Sequence, residues 1–237
     1  MRVKQALGKV LFRATPGSWR TLRLMRYETA AIYQRAANAV NPRFRLKVLQ
    51  LRRRTGLSIN LGAGPFGREG WVNADLECPG NLHLDIRKPL PFADRSARRI
   101  LAEHIIEHLD FYHEVPRLLR ECHRVLEPGG VLRVIVPDMA LYCRAYVSET
   151  PVAFERLGWD LEKLPKDIPT PMAILNHVFH QGGEHLWGWD WVTMALALKE
   201  AGFGDITRQS YGVSVDPELA IDREDHRAYS LYADARK

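Results

Sequence analysis

The stretch "LSINLGAGPFGREGWVNADL", residues 57–76, restricts this chain more than any other. A short apolar run enters a turn with Gly62 and Gly64 one residue apart and Gly67 beyond, and a second run closes on Asp75. A buried strand that runs straight into two glycines turns sharply and lets the backbone approach a ligand, because glycine accepts positive φ without steric cost. After Gly56, short apolar runs alternate with longer helical ones, the pattern of a βαβ, mostly parallel sheet. Strands are predicted at 57–62, 70–76, 82–86, 97–104, 131–138, 205–210 and 227–235. Helices are predicted at 112–126, where Val115, Leu118, Leu119, Cys122, Val125 and Leu126 share one side, and at 190–203, capped by Asp190 and closed by Gly202. "EPGG" at 127–130 turns the first of these into the strongest strand of the chain, and residues 139–188 read as a looser segment rich in Pro, Gly, His and Trp.

Ahead of this pattern lies a different region. Residues 1–57 hold fourteen Lys and Arg against one acid, Glu28, so the overall charge of +6 divides into a basic arm and a mildly acidic body. Such asymmetry predicts an anionic partner, either a membrane surface or nucleic acid. "SWRTLRLMRYETAAIYQRAANAV" has helical spacing that Asn41-Pro42 stops, and "RFRLKVLQLRRRTG" predicts a second short helix ending by Gly56. The arm is expected to lie on anionic lipid headgroups, or to cover the body or exchange with a second copy of the chain in a homodimer.

At 237 residues the chain is long enough for one large domain with an extension. The three cysteines are odd in number and widely spaced, which suggests neither a disulfide framework nor a cysteine zinc site. No apolar run approaches the ~20 residues of a membrane span. The basic N-terminus lacks a clean apolar segment before a cleavage site, so secretion is not expected. A cytoplasmic location is expected, with the inner face of the membrane as a second.

Asp75 closes the second predicted strand and Asp85 the third, at the edge where an open parallel sheet binds its ligands. A carboxylate there can accept hydrogen bonds from the vicinal hydroxyls of a ribose. The run "NLGAGPFGREGWVNADL…LDIRKPLPFADRSARRILAEHIIEHL…LLRECHRVLEPGGVLRVIVPD" resembles the class I S-adenosylmethionine-dependent methyltransferases, in the methyltransferase type 11-like group that acts on small molecules and sugars. The resemblance implies an α/β fold with a Rossmann-like, seven-stranded, mostly parallel sheet and helices on both faces. It covers residues 58–138 closely and the last strands loosely, which makes residues 58–237 the methyltransferase domain and 139–188 the insertion that builds the acceptor pocket. It implies that Gly62, Ala63 and Gly64 border the methionine and ribose of S-adenosyl-L-methionine. Asp75 would take the ribose hydroxyls with Leu76 packed on the adenine, and Asp85 with Ile86 would take the adenine edge. Glu103 and His104 would face the methionine and the transferred methyl. Two departures stand out: Asn60 occupies the place of the usual acidic residue, where its side-chain oxygen can still meet the cofactor's amino group, and the link to the second strand is too short for a full first helix.

Methyl transfer to a hydroxyl needs positioning and a base. Among the histidines, His104, His108, His177, His180 and His185 are candidates; His185 ranks first, on a loop after two glycines, and His108 second. No metal is assigned. "HIIEH", residues 104–108, matches a zinc-peptidase motif and keeps a zinc-dependent hydrolase as an alternative, but the predicted strand end at His104 breaks the helical face such a motif needs. Nucleic-acid methylation or binding through the basic arm is the other alternative. It lacks the N/D-P-P-Y/F/W run or cysteine after the fourth strand that such enzymes carry. A hydroxyl on a small molecule, or on a sugar or lipid-linked glycan, is the expected acceptor.

Overall fold

The computed structural model describes residues 19–78 and 82–237. Two helices open it, α1 (Trp19–Val40) and α2 (Pro42–Arg52). Asn41 divides them because its side chain accepts from the amides of Arg43 and Phe44, and Pro42 needs no donor at the first helical position. Then come β1 (Leu57–Leu61), β2 (Val72–Asp75), β3 (Leu82–His83), β4 (Ala97–Glu103), α3 (Glu114–Val125), β5 (Leu126–Pro137), α4 (Met139–Ser148), α5 (Pro151–Glu155), α6 (Pro171–His180), α7 (Trp191–Glu200), β6 (Ile206–Gln209) and β7 (Ser230–Arg236). The strands form one seven-stranded sheet in the order β3-β2-β1-β4-β5-β7-β6, parallel from β3 to β5, with β7 antiparallel to both its neighbours. The "EPGG" residues loop out within β5, since Ala97 pairs with Leu126 and Arg99 with Val131.

Register sorts the side chains. Ile59, Ile100, Leu132 and Ala235 share one face and join the main core with α3, Met194 and Leu198 of α7, and Leu51 of α2. Gly62 to Trp71 runs from β1 to β2 without a helix. The apolar side of α2, Leu51 with Phe44, packs on this core and contributes helical cover from the arm. The opposite face carries Asn60, Leu101, Arg133 and Asp234. Its smaller cluster is packed by Trp71, Tyr211 and Leu219, and no α-helical residue belongs to that cluster among those described.

Polar groups hold that cover in place. Arg133 is fully buried and donates to Asp222 at 2.6 and 2.8 Å and to Asp234 at 2.8 Å, while Asp234 and Asp222 accept from the amides of Val215 and Gly212. Arg99 pairs with Asp216 at 2.7 Å and donates to Ser58.

The segment 139–188 contains three helices with a core of their own, Met139, Tyr142, Phe154, Leu157, Ile174 and Val178 among them. Among the described residues, no helix is long and apolar enough to cross a membrane.

Candidate functional site

A cleft of about 610 Å³ opens at the carboxyl ends of β1, β2 and β4, a size suited to a nucleoside-scale ligand. Gly62, Asp75, Leu76, Asp85, Ile86, His104 and His108 line it. Gly62 has φ of +66°, and a Cβ added there would meet the Ile105 side chain at 2.7 Å, so this turn requires glycine. Asp75 is bound by its own loop: Oδ2 accepts from the Gly64 amide at 3.0 Å, and Oδ1 from those of Glu77 and Cys78 at 2.9 and 2.8 Å. A carboxylate offers about four lone-pair positions, which leaves room here for one ribose hydroxyl rather than the two the resemblance implies.

The arm forms part of the cleft. Leu24, Tyr27 and Glu28 of α1 line it directly. Arg87 donates to Asp85 and to Glu28, Arg35 pairs with Asp85 at 3.0 Å, and the Asn38 amide donates to the His83 carbonyl at 2.7 Å. At the other end the Tyr27 hydroxyl reaches Glu184 at 3.3 Å. Both Asp85 oxygens are thus engaged by guanidinium groups. Burial pushes this carboxyl up, but the Arg87 hydrogen bonds and the Arg35 charge outweigh burial and hold it below its ordinary value.

Three sequence candidates stand behind the cleft. Asn60 is buried on the opposite face, where its amide donates to Phe66 O at 3.4 Å and Asn73 Oδ1 at 3.3 Å, bracing the β1–β2 loop. Glu103 also faces away, accepting from the Arg223 amide at 3.3 Å beside the His226 ring at the same distance. Burial raises the Glu103 carboxyl, but His226 and the Arg223 amide bring it below its usual value. His185 is buried with Nδ1 2.6 Å from the Val178 carbonyl, and burial lowers its affinity for a proton. Ala63 and Gly64 are not among the lining residues; Ala63 donates its amide to the Ala74 carbonyl.

Beside Gly62, just past the end of β4, the chain departs from regular structure. His104 ends β4 at φ +50°, an unusual conformation for a side chain of its size. Its Nε2 lies 2.9 Å from Ser230 Oγ, and its ring sits 3.8 Å from that of His226. Residues 106–108 form only one 3-10 turn, so "HIIEH" does not present His104 and His108 from one α-helical face. Gln181, Gly182 and Gly183 all have positive φ, and this turn brings Leu186 and Trp187 to donate to the Glu107 carbonyl at 2.8 and 3.3 Å. His185 thereby meets His108 edge-on, ring centroids 5.0 Å apart. His177 instead packs against Trp159, and His180 ends α6 with its carbonyl accepting from His185.

Sequence reasoning missed Tyr27 and Glu28, whose partners lie far along the chain, and gave Glu107 no place in the site, although the "HIIEH" letters had marked it. Glu107 is fully buried.

Residues 69–134 match the model of a methyltransferase domain family. No curated protein matches the chain. Among solved structures it is similar to an S-adenosylmethionine-dependent methyltransferase from Archaeoglobus fulgidus, at 15% identity over 86% of this chain and 94% of that one, with a TM-score of 0.44. A second, from Mesorhizobium loti, is 18% identical over 81% of this chain and 96% of that one, TM-score 0.46. A third is Burkholderia thailandensis 1,6-didemethyltoxoflavin-N1-methyltransferase, 15% identical over 94% and 90%, TM-score 0.44, solved with S-adenosylhomocysteine. These overlaps are loose; the methyltransferase-domain match is to residues 69–134, which run from the turn before β2 into β5 of the seven-stranded, mostly parallel sheet.

Proposed function

We propose that this chain methylates a hydroxyl oxygen of a small molecule or of a sugar, including a lipid-linked glycan, with the cofactor in the cleft between α1 and the strand ends. The observation that carries the reading is that one continuous cleft is lined both by Gly62 and Asp75 and by His104 and His108. The residues fit the cofactor: Asp75 presents a carboxylate to a ribose, and Leu76, Leu84 and Ile86 offer apolar surface to a flat base. Bound there, S-adenosylmethionine supplies a methyl group on a sulfonium, which leaves with the C–S electron pair returning to sulfur.

The chain's own part is to orient and to accept a proton. Gly62 keeps the backbone low beneath the cofactor. Asp85, engaged by Arg87 and Arg35, fixes the wall of the base pocket in this reading rather than contacting the base. The acceptor proton leaves toward His108 and His185, of which His108 reaches the cleft and His185 backs it. Nδ1 of His108 lies 3.0 Å from the Glu184 carbonyl, which can only accept, so the Nδ1 position carries the proton and Nε2 the lone pair.

Calorimetry with S-adenosylmethionine and S-adenosylhomocysteine tests the reading. The wild type is expected to bind both, and Asp75→Ala to bind at least about tenfold more weakly, a loss of ~1.4 kcal/mol or more. Absence of binding by the wild type, or undiminished binding by the variant, sinks it. Mass spectrometry of products from hydroxyl-bearing and amine-bearing acceptors then decides between oxygen and nitrogen.

A further inference from the structure

We propose that Glu107, His108 and His185 form a binding site for one divalent first-row metal ion, zinc being the best fit, at the acceptor end of the cleft. The inference rests on the methyl-transfer reading for its purpose, since the ion would receive the acceptor hydroxyl, but the site itself is argued from three independent features.

The first is convergence. One ligand atom from each of the three side chains lies within 4.8 Å of the others, against about 3.4 Å between donors around a tetrahedral ion with ~2.1 Å bonds, so loading draws them together by an ångström or so. The second is the carboxylate. Glu107 is fully buried; His104 Nδ1 lies 3.2 Å from Oε1 as an ion-pair partner, and Oε2 accepts no hydrogen bond among the described residues. A carboxylate taken out of water with so little hydrogen bonding is costly, and a cation offsets that cost. The third is the state of the imidazoles. His108 and His185 each turn Nδ1 to a backbone carbonyl, Glu184 at 3.0 Å and Val178 at 2.6 Å, the arrangement that fixes tautomer and ring in metal-ligating histidines.

Two imidazoles and one carboxylate suit zinc, iron or manganese better than magnesium or calcium, which prefer all-oxygen shells. Three protein ligands leave a coordination position open, as in catalytic rather than structural zinc sites. His108 is the member that lines the cleft, so the open position faces an incoming acceptor. An ion lowers the pKa of bound water from 15.7 to about 7, and it acts in the same sense on an alcohol. With the Nε2 lone pair of His108 given to the ion, the acceptor O–H gives its proton to water instead of to His108, and its oxygen lone pair forms the C–O bond as the C–S bond breaks toward sulfur. The site therefore favours an oxygen acceptor that can ligate the ion while it faces the methyl donor. It also differs from the ligand set read from "HIIEH": His104 supports Glu107 instead of binding the metal, and the third ligand comes from His185, 77 positions after His108.

The test uses the tag-free, full-length chain stripped with chelator. Zinc titration by calorimetry is expected to show one ion per chain, and cobalt to give the visible absorption of a four- or five-coordinate site. Glu107→Gln and His185→Ala are expected to weaken zinc binding at least tenfold, with S-adenosylmethionine binding retained. If either variant unfolds by circular dichroism, His108→Ala provides the zinc-binding comparison from a less buried position. Absence of stoichiometric binding by the wild type, or zinc affinity unchanged in the folded variants, overturns the site. In the same preparations, cofactor binding without zinc overturns this inference alone, whereas zinc binding without cofactor supports the site and overturns the methyl-transfer reading.

Discussion

Arg133 shows how a single residue on the far side of the sheet reaches the cleft. It is fully buried between Asp222 and Asp234, and with them it ties down the segment that carries Arg223 and His226. The His226 ring in turn lies tilted, 3.8 Å from that of His104, the left-handed residue just past the end of β4. Removing the cation leaves two buried carboxylates without their partner, and breaking a buried pair in this way costs about 3–5 kcal/mol. Arg133→Ala is expected to lower stability by that amount in urea denaturation. Asp222→Asn, which keeps shape and some hydrogen bonding, is expected to cost less. A loss below about 1 kcal/mol for Arg133→Ala contradicts a structural role for this network. Isolated Arg87–Glu28 contacts at the cleft mouth belong to a weaker class, since Glu28 is 56% exposed and water screens it.

Helix α1 gains its place from charges that pattern alone does not pair. Its helical spacing and its stop at Asn41-Pro42 were legible, but Glu28 and Arg35 meet Arg87 and Asp85 some fifty residues away. The dependence on pH follows from Asp85. Its folded value lies below the ordinary carboxylate value, so its contribution is complete above about pH 4, where an unfolded Asp is already ionised, and is lost as pH falls through the folded value. Asp85→Asn is expected to destabilise by about 2 kcal/mol at neutral pH, the scale of hydrogen bonds to a charged group, with the gap to wild type closing on the acid side. A gap that stays constant from neutral pH into the acid limb refutes that coupling. Among the other elements, β1, β2, α3 and α7 were legible because each shows one face to the main core. Helices α4 to α6 were not, because they pack mainly on one another and begin after Asp138, Thr150 and Thr170 in a Pro-rich stretch. The candidate site divides by the same physics. Asn60 and Glu103 were read as facing the ligand from their place at strand ends, but the two-residue alternation of a strand turns both to the other face. His185 was legible as a histidine on a glycine turn; its burial behind His108 depends on the fold of the 181–187 loop.

At the scale of the molecule the cleft is built from three parts distant in the chain: α1, the segments that follow β1, β2, β3 and β4, and the loop at 181–186. An unfolded chain holds none of this arrangement, so a ligand that spans it binds the folded state and stabilises it by mass action. At one hundred times its Kd such a ligand contributes about 2.7 kcal/mol. For a chain of this size each kcal/mol moves Tm by roughly 2–4 °C, so S-adenosylhomocysteine at that concentration is expected to raise Tm by roughly 5–11 °C. The arm's share in the cleft gives the experiment a second arm. Arg35→Ala releases one of the cations on Asp85 and weakens the hold on α1, whose Leu24, Tyr27 and Glu28 form one wall. At the same ligand concentration the variant is therefore expected to show a smaller Tm increase than the wild type, while a variant at the exposed Val147, which does not line the cleft, keeps the full increase. Equal shifts for Arg35→Ala and wild type at that concentration mean that α1 only borders the cleft. No shift in any protein means that the cleft does not take the cofactor.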